Sequence, residues 1–242
     1  MIENCLFLYG LYGEKIKMKF PKICFVTYTA NDLKELTVLN NMNKAELRRN
    51  VEILVIDDEN FSPEEHLQRI GFRVVHKKDI DNINDVAEYT VILCDIRGVG
   101  KTFGSKREGA FVIKEIKEKY PSKQVIAYTA SSYDPSYTKD MNHADMTIQK
   151  GMALDDWVDA IDEQIKKAVD PIYQWERLRV ELLQNGVSTI FVARLEDKYV
   201  QAIKRKNFTT LEKLASSENQ EVRGLICDFL ASACVKFVSG RI

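Results

Sequence analysis

The chain has 242 residues, 45% of them hydrophobic and 29% charged, with a formal net charge of -1. That composition is globular, with ample material for a core, and the length allows one large domain or an ordinary domain plus a smaller one. The near-neutral charge gives no global electrostatic case for nucleic acid or an anionic membrane as partner.

Residues 1–17 read as an appendage, with Met18 as an alternative start. The opening "NCLFLYGLYG" is weakly signal-like but lacks a basic leader and a small-residue cleavage site. No apolar run reaches the roughly 18 residues of a membrane helix. Cys5, Cys24, Cys94, Cys227 and Cys234 are scattered without a C-x-x-C, which predicts reduced thiols and a cytoplasmic protein. His66, His76 and His143 fall in unrelated segments, so no histidine-based metal site or triad is expected.

"KICFVTYT" (22–29) has the β-branched and aromatic content of a strand, whereas the stretch to Asn50 carries helical pieces such as "NKAELRRN" without a clean period. From Val51 the pattern becomes regular. "VEILVI" (51–56) predicts a strand buried on both faces. Ser62, Pro63 and Glu65 predict a capped helix that Gly71 stops. A strand "FRVV" (72–75), a short helix near 83–89, a strand "TVILC" (90–94) and a helix from about 107 to Pro121 come next. Strand "QVIAY" (124–128), a helix opened by Asp134 and Pro135, strand "MTIQ" (146–149) and an amphipathic helix over 154–169 complete the series, which Pro171 closes. Five β–α units in succession predict an α/β fold with a doubly wound parallel sheet.

Beyond Pro171 the only strand-like run is "STIFVA" (188–193). Capping boxes at Thr209…Glu212 and Ser217…Gln220, and an apolar helix over 224–238 with Cys227 and Cys234 on one face, predict a small helical domain. The apolar helix is either the core of a small bundle or an oligomer or partner interface. The expected division is an N-terminal extension (1–49), an α/β domain (50–170) and a helical domain (171–242). Within 172–242, eleven basic residues against eight acidic ones leave +3. With one basic cluster, "AIKRKNF", and no helix-turn-helix glycine turn, this argues against DNA binding.

In a doubly wound sheet, ligands bind outside the carboxyl ends of the strands. Asp57 and Asp58 follow the first strand, Asp95 the third, Thr129 the fourth and Lys150 the fifth. Three carboxylates in one crevice call for a hard divalent cation such as Mg2+. A carboxylate beside such an ion can accept a phosphoryl group, with a lysine supplying charge to the transferred oxygens.

This ordered set, acid pair, acid, Thr, Lys on successive strand ends, resembles the receiver domain of two-component response regulators over about residues 50–170. The resemblance implies a flavodoxin-like (βα)5 fold. It also implies Mg2+ held by Asp58 directly, by Asp57 directly or through water, by Asp95 and by the Arg97 backbone carbonyl. Asp95 would be the phosphoacceptor, Thr129 the switch hydroxyl and Lys150 the partner of the phosphoryl group or of Asp95. The implied protein is a signalling switch and not an enzyme. Its partners would be a histidine kinase or phosphotransfer protein, an output protein and a second copy of itself. Three features depart from the family pattern: Gly151 where a proline usually follows the lysine, Thr147 where an aromatic residue often stands, and a long loop "IRGVGKTFGSK" after Asp95. They favour the alternative of a degenerate receiver-like adaptor that binds partners without phosphorylation.

"GVGKT" in that loop looks like the end of a P-loop. The pattern would need its first glycine at position 95, which is aspartate, and a carboxylate there repels phosphate. The loop is expected to be a glycine-rich connection beside the acids, with Lys101 and Lys106 either solvated or approaching a phosphoryl group.

Overall fold

The computed structural model of the chain describes residues 8–9, 15–16, 28–34, 43–130, 142–216 and 218–240. Residues 22–27 of the first expected strand lie outside the described residues, and its last two, Tyr28 and Thr29, are not in a strand. The helix expected from Asp134 and Pro135 also lies outside them. Near the start, Leu8–Tyr9 and Lys15–Ile16 pair as a short antiparallel ladder.

Five apolar runs form the strands β1 (Glu52–Ile56), β2 (Arg73–Lys77), β3 (Val91–Asp95), β4 (Gln124–Thr129) and β5 (Met146–Gln149). All neighbours pair in parallel, in the order β2-β1-β3-β4-β5. The alternating pattern predicted the doubly wound parallel sheet, and the order is the flavodoxin-like one that the resemblance implied. The central strands β1, β3 and β4 are buried nearly throughout, which is why they read as continuous apolar runs.

Helices α1 (Lys44–Asn50), α2 (Glu64–Arg69), α3 (Glu108–Lys119) and α4 (Leu154–Val169) flank the sheet. Ile53, Val55, Val91, Leu93, Ile126 and Tyr128 share one core with Leu47, Leu67 and Trp157. Leu54, Ile56, Ile92, Cys94, Val125 and Ala127 share the other with Val112, Ile113 and Ile116 of α3. Each buried aliphatic side chain contributes about 1.5–3 kcal/mol. A one-residue slip of β3 would exchange its two faces, so the register is strongly specified.

Several local expectations are corrected. The Ser62–Glu65 capping box does not form: α2 begins at Glu64, with Pro63 at its N-cap and no side-chain bond there. The helix expected over 83–89 contracts to a 3-10 turn, Ile83–Val86, because Asn82 and Asp85 cap each other reciprocally around a tight turn. "STIFVA" is the start of a helix, since the Ser188 hydroxyl accepts from Phe191 N at 3.2 Å; the apolar side chains there serve a helical core despite their β propensity.

Past Pro171 the chain is helical: α5 (Pro171–Gln184), α6 (Thr189–Arg205), α7 (Thr209–Ser216), α8 (Gln220–Ala231) and α9 (Ala233–Val238). The single apolar helix expected over 224–238 is in fact two, broken at Ser232, which leaves helical geometry and caps α9. The break leaves Cys227 exposed and Cys234 buried. Thr209 lies inside α7 and not at its cap; Asn207 Oδ1 accepts its N–H at 3.0 Å. Ser217 lies outside the described residues, and Asn219 caps α8.

Trp175 stacks on Tyr199 with ring centroids 5.1 Å apart, and Phe229 meets Tyr199 edge-on. Leu33, far back in the chain, is fully buried in this core. Conversely Ala233 of α9 packs into the first sheet core. A single residue, Asp170, separates α4 from α5. Its carboxylate accepts from Ile172 N and Tyr173 N at 2.8 and 3.2 Å, with Pro171 at the first helical position, where its missing N–H costs nothing. Polar contacts join the helices to the sheet: Asp145 binds Lys117 and Arg177, and Asp228 accepts from Ser122 N at 2.9 Å.

Candidate functional site

Because the five strands are parallel, the residues at their carboxyl ends meet on one edge. Asp57 and Asp58 follow β1, Asp95 ends β3, Thr129 ends β4 and Lys150 follows β5. Lys150 Nζ lies 2.6 Å from Asp95 Oδ2 and 3.2 Å from Asp57 Oδ2. It therefore ties the ends of three strands together. Carboxylate oxygens of Asp57, Asp58 and Asp95 all lie within 4.8 Å of one another.

Burial is uneven across the cluster. Asp57 is 2% exposed and Asp95 4%, while the Asp58 side chain is 35% exposed. Burial pushes the Asp95 carboxyl above its usual range, against the hydrogen bond and charge of Lys150. Burial also works against the Lys150 ammonium, but its bond to Asp95 and the fields of Asp95 and Asp57 carry its pKa upward. The pair is thus charged at the expense of desolvation, and a further cation beside Asp95 would be welcome.

Thr129 is buried, and its carbonyl accepts from Lys150 N at 3.0 Å. The Arg97 N–H donates to Asp95 Oδ1 at 3.3 Å, turning the chain sharply out of β3. Two glycines make room for this turn. Gly98 has φ +80°, and a Cβ there would sit 2.1 Å from Asp58 Oδ1; a Cβ on Gly109 would sit 1.8 Å from the Asp95 carbonyl oxygen.

Two participants escaped the sequence reading. Tyr128, next to Thr129 in β4, donates its hydroxyl to Asp57 Oδ2 at 2.9 Å. Burial, then the adjacent Asp57 carboxylate, holds that phenol protonated far above its ordinary range. An aromatic with a polar tip at a buried strand end was the available signal. The second is Asp79, in a polar loop without any motif. Its Oδ1 accepts from Gly100 N at 2.6 Å and its Oδ2 from Lys101 N at 3.1 Å. The backbone N–H groups that a P-loop would offer to phosphate are thus held by the protein's own carboxylate. Lys101 Nζ, expected to be solvated or near a phosphoryl group, pairs with Asp58 Oδ2 at 3.2 Å. Lys106, its companion in that expectation, is exposed.

The donor set fits a hard divalent ion. Three carboxylates supply oxygen ligands at mutual distances a small cation can bridge, and the nearest ammonium groups, those of Lys150 and Lys101, balance only two of the three charges. Among the described residues no helix is long and apolar enough to cross a membrane.

No protein-family description matches the sequence, nor does any curated protein. Solved structures do. A CheY-like response regulator receiver domain protein from Methanospirillum hungatei is 20% identical, with a TM-score of 0.41 over 48% of this chain and 94% of its own. A two-component response regulator from Clostridium difficile gives 17% identity and 0.41 over 48% and 97%. Response regulator TrrA from Thermotoga maritima, solved with Mg2+ and BeF, gives 24% identity and 0.38 over 47% and 98%.

Proposed function

We propose that this chain is a response-regulator-type signalling protein that accepts a phosphoryl group on Asp95 in a Mg2+-dependent reaction. The observation that carries the reading is the Asp95–Lys150 pair at 2.6 Å, inside a cluster whose three carboxylates lie within 4.8 Å of one another. Residues 50–170 are taken as the accepting unit and 171–242 as the unit that passes the change on by protein–protein contact. A histidine kinase or phosphotransfer protein is the matching donor, and the cytoplasm the matching compartment.

Asp57, Asp58, Asp95 and the Arg97 carbonyl would hold Mg2+, which supplies positive charge to the phosphoryl oxygens and lowers repulsion between them and the carboxylates. Asp95 would offer a carboxylate oxygen to phosphorus and displace the donor's leaving group, forming an acyl phosphate. Lys150, already paired with Asp95, is placed to follow the new negative charge. Thr129, at the neighbouring strand end, would meet a phosphoryl oxygen with its hydroxyl. The Asp57 carboxylate accepts from the Tyr128 hydroxyl and from the Glu59 N–H, the latter at 3.0 Å, and these bonds would fix its orientation as a ligand.

Intact-protein mass after incubation with acetyl phosphate tests the reading. We expect a gain of one phosphoryl group that requires Mg2+ and disappears in Asp95→Asn. A folded wild type that neither gains mass nor binds Mg2+ would refute it. The exposed Thr147, where an aromatic switch residue often stands in receivers, favours a second reading of the same fold. In that reading the chain is an adaptor whose helical part binds partners whether or not Asp95 is modified.

A further inference from the structure

We propose that Lys101 is a tethered counter-ion of the acid cluster, which Mg2+ must displace from Asp58 to bind. The inference rests on reading the cluster as a Mg2+ site.

Lys101 is not an ordinary mobile surface lysine that happens to approach an acid. Its backbone is pinned on both sides. Gly100 N and Lys101 N are both held by the Asp79 carboxylate, and the Thr102 hydroxyl donates to the Ile80 carbonyl at 3.0 Å. On the other side Gly98 lies directly against the Asp58 carboxylate, where no side chain would fit. The long loop after Asp95 is thus fastened to the segment 79–80, and the only freedom left to Lys101 is that of its own stem. That stem reaches Asp58 Oδ2 at 3.2 Å.

Charge counting gives this contact a consequence. Asp57, Asp58 and Asp95 carry -3, and Lys150 and Lys101 return +2, leaving -1. Adding Mg2+ with both lysines in place gives +1, whereas release of Lys101 gives zero. Lys150 is the poorer candidate for release, because it holds two nearly buried carboxylates at once, whereas Lys101 is 66% exposed and can return to water cheaply. The pinned loop therefore sets the affinity of the site: it keeps a weak cation on the most accessible ligand until a divalent one replaces it.

Calorimetric titration of the full chain with MgCl2 alone tests this in wild type, Lys101→Met, Lys106→Met and Asp79→Ala. Lys101→Met should bind Mg2+ about two- to fivefold more tightly at low salt, the range an exposed ion pair supports. The gain should shrink at high ionic strength. Lys106→Met, on the same loop, should leave the affinity near that of wild type. Asp79→Ala is the sharper variant, because two effects oppose in sign. Loss of a nearby negative charge alone would weaken Mg2+ binding; release of the loop and of Lys101 would strengthen it. Stronger binding is expected, with Asp79→Asn, which keeps one acceptor, lying between. Should Asp79→Ala disturb folding by circular dichroism, Asp79→Asn carries the comparison. Equal affinities in wild type and Lys101→Met, or weaker binding in both Asp79 variants, would overturn the proposal while leaving the Mg2+ site intact. Absence of Mg2+ binding in every variant would instead remove the site itself, and the tether with it.

Discussion

Asp57 is nearly inaccessible, yet among the described residues the one ammonium that reaches it, that of Lys150, is shared with Asp95. Its oxygens therefore rely on neutral donors as well, of which the Tyr128 hydroxyl is a buried one. Removing that hydroxyl leaves a buried carboxylate oxygen short of a donor. Tyr128→Phe is expected to cost about 1.5–3 kcal/mol, the range for hydrogen bonds to charged groups. It should appear as a lower urea midpoint with an unchanged m-value. A midpoint equal to that of wild type would mean that water or Lys150 replaces the hydroxyl without loss. The same residue marks where sequence reading stopped. Asp57, Asp58, Asp95, Thr129 and Lys150 were legible because strand ends can be counted along the chain. Tyr128 and Asp79 act through the third dimension, one across two strands and the other across a loop; the polar tip of Tyr128 hinted at a partner without naming it, and nothing in the spacing announced Asp79.

At the level of elements, the corner where α3 turns into β4 carries two buried lysines with separate tasks. Lys117 donates to the carbonyls of Pro121 and Lys123 and to Asp145. Lys123 donates to the carbonyls of Ala87 and Tyr89. Burial pulls both ammonium groups down to about 8. Unfolded, each titrates near 10.5, so between these limits the unfolded state holds the extra protons and stability rises with pH. The contribution is full above the unfolded value and is lost as pH falls to about 8. Urea midpoints measured from about pH 7.5 to about pH 9.5 should climb, by at most about 1.4 kcal/mol per pH unit for each lysine. The Lys117→Met, Lys123→Met double variant should flatten the climb; a wild type with no climb would show that the two ammonium groups titrate as if exposed. Elements themselves were legible where pattern and propensity agreed, as in β1, β3 and α4. They misled where the same apolar residues served a different period, as at Ser188, or where one capping serine divided an apolar run, as at Ser232.

For the whole molecule, the helical core and one of the two sheet cores each take in a residue from outside their own stretch of chain. Leu33, from before the sheet, completes the helical core, and Ala233, from near the end of the chain, completes a sheet core. Arg177 and Asp228 add polar ties across the same boundary. Neither half can open without exposing surface of the other, so calorimetry should record one transition with matching calorimetric and van't Hoff enthalpies. Two separated transitions would show that the halves are energetically independent, and would favour a released helical part as the means of output.

The join at Asp170 has a mechanical side. A linker of several residues would absorb motion; here one residue, with its N–H bonded to Lys166 O at 3.0 Å and its carboxylate capping α5, serves as an elbow with no play. At 1.5 Å per residue the 14 residues of α5 form an arm of about 21 Å. A tilt of α4 by about 4°, passed rigidly through that elbow, would carry the far end of α5 through about 1.5 Å, so a small shift of α4 would arrive there amplified.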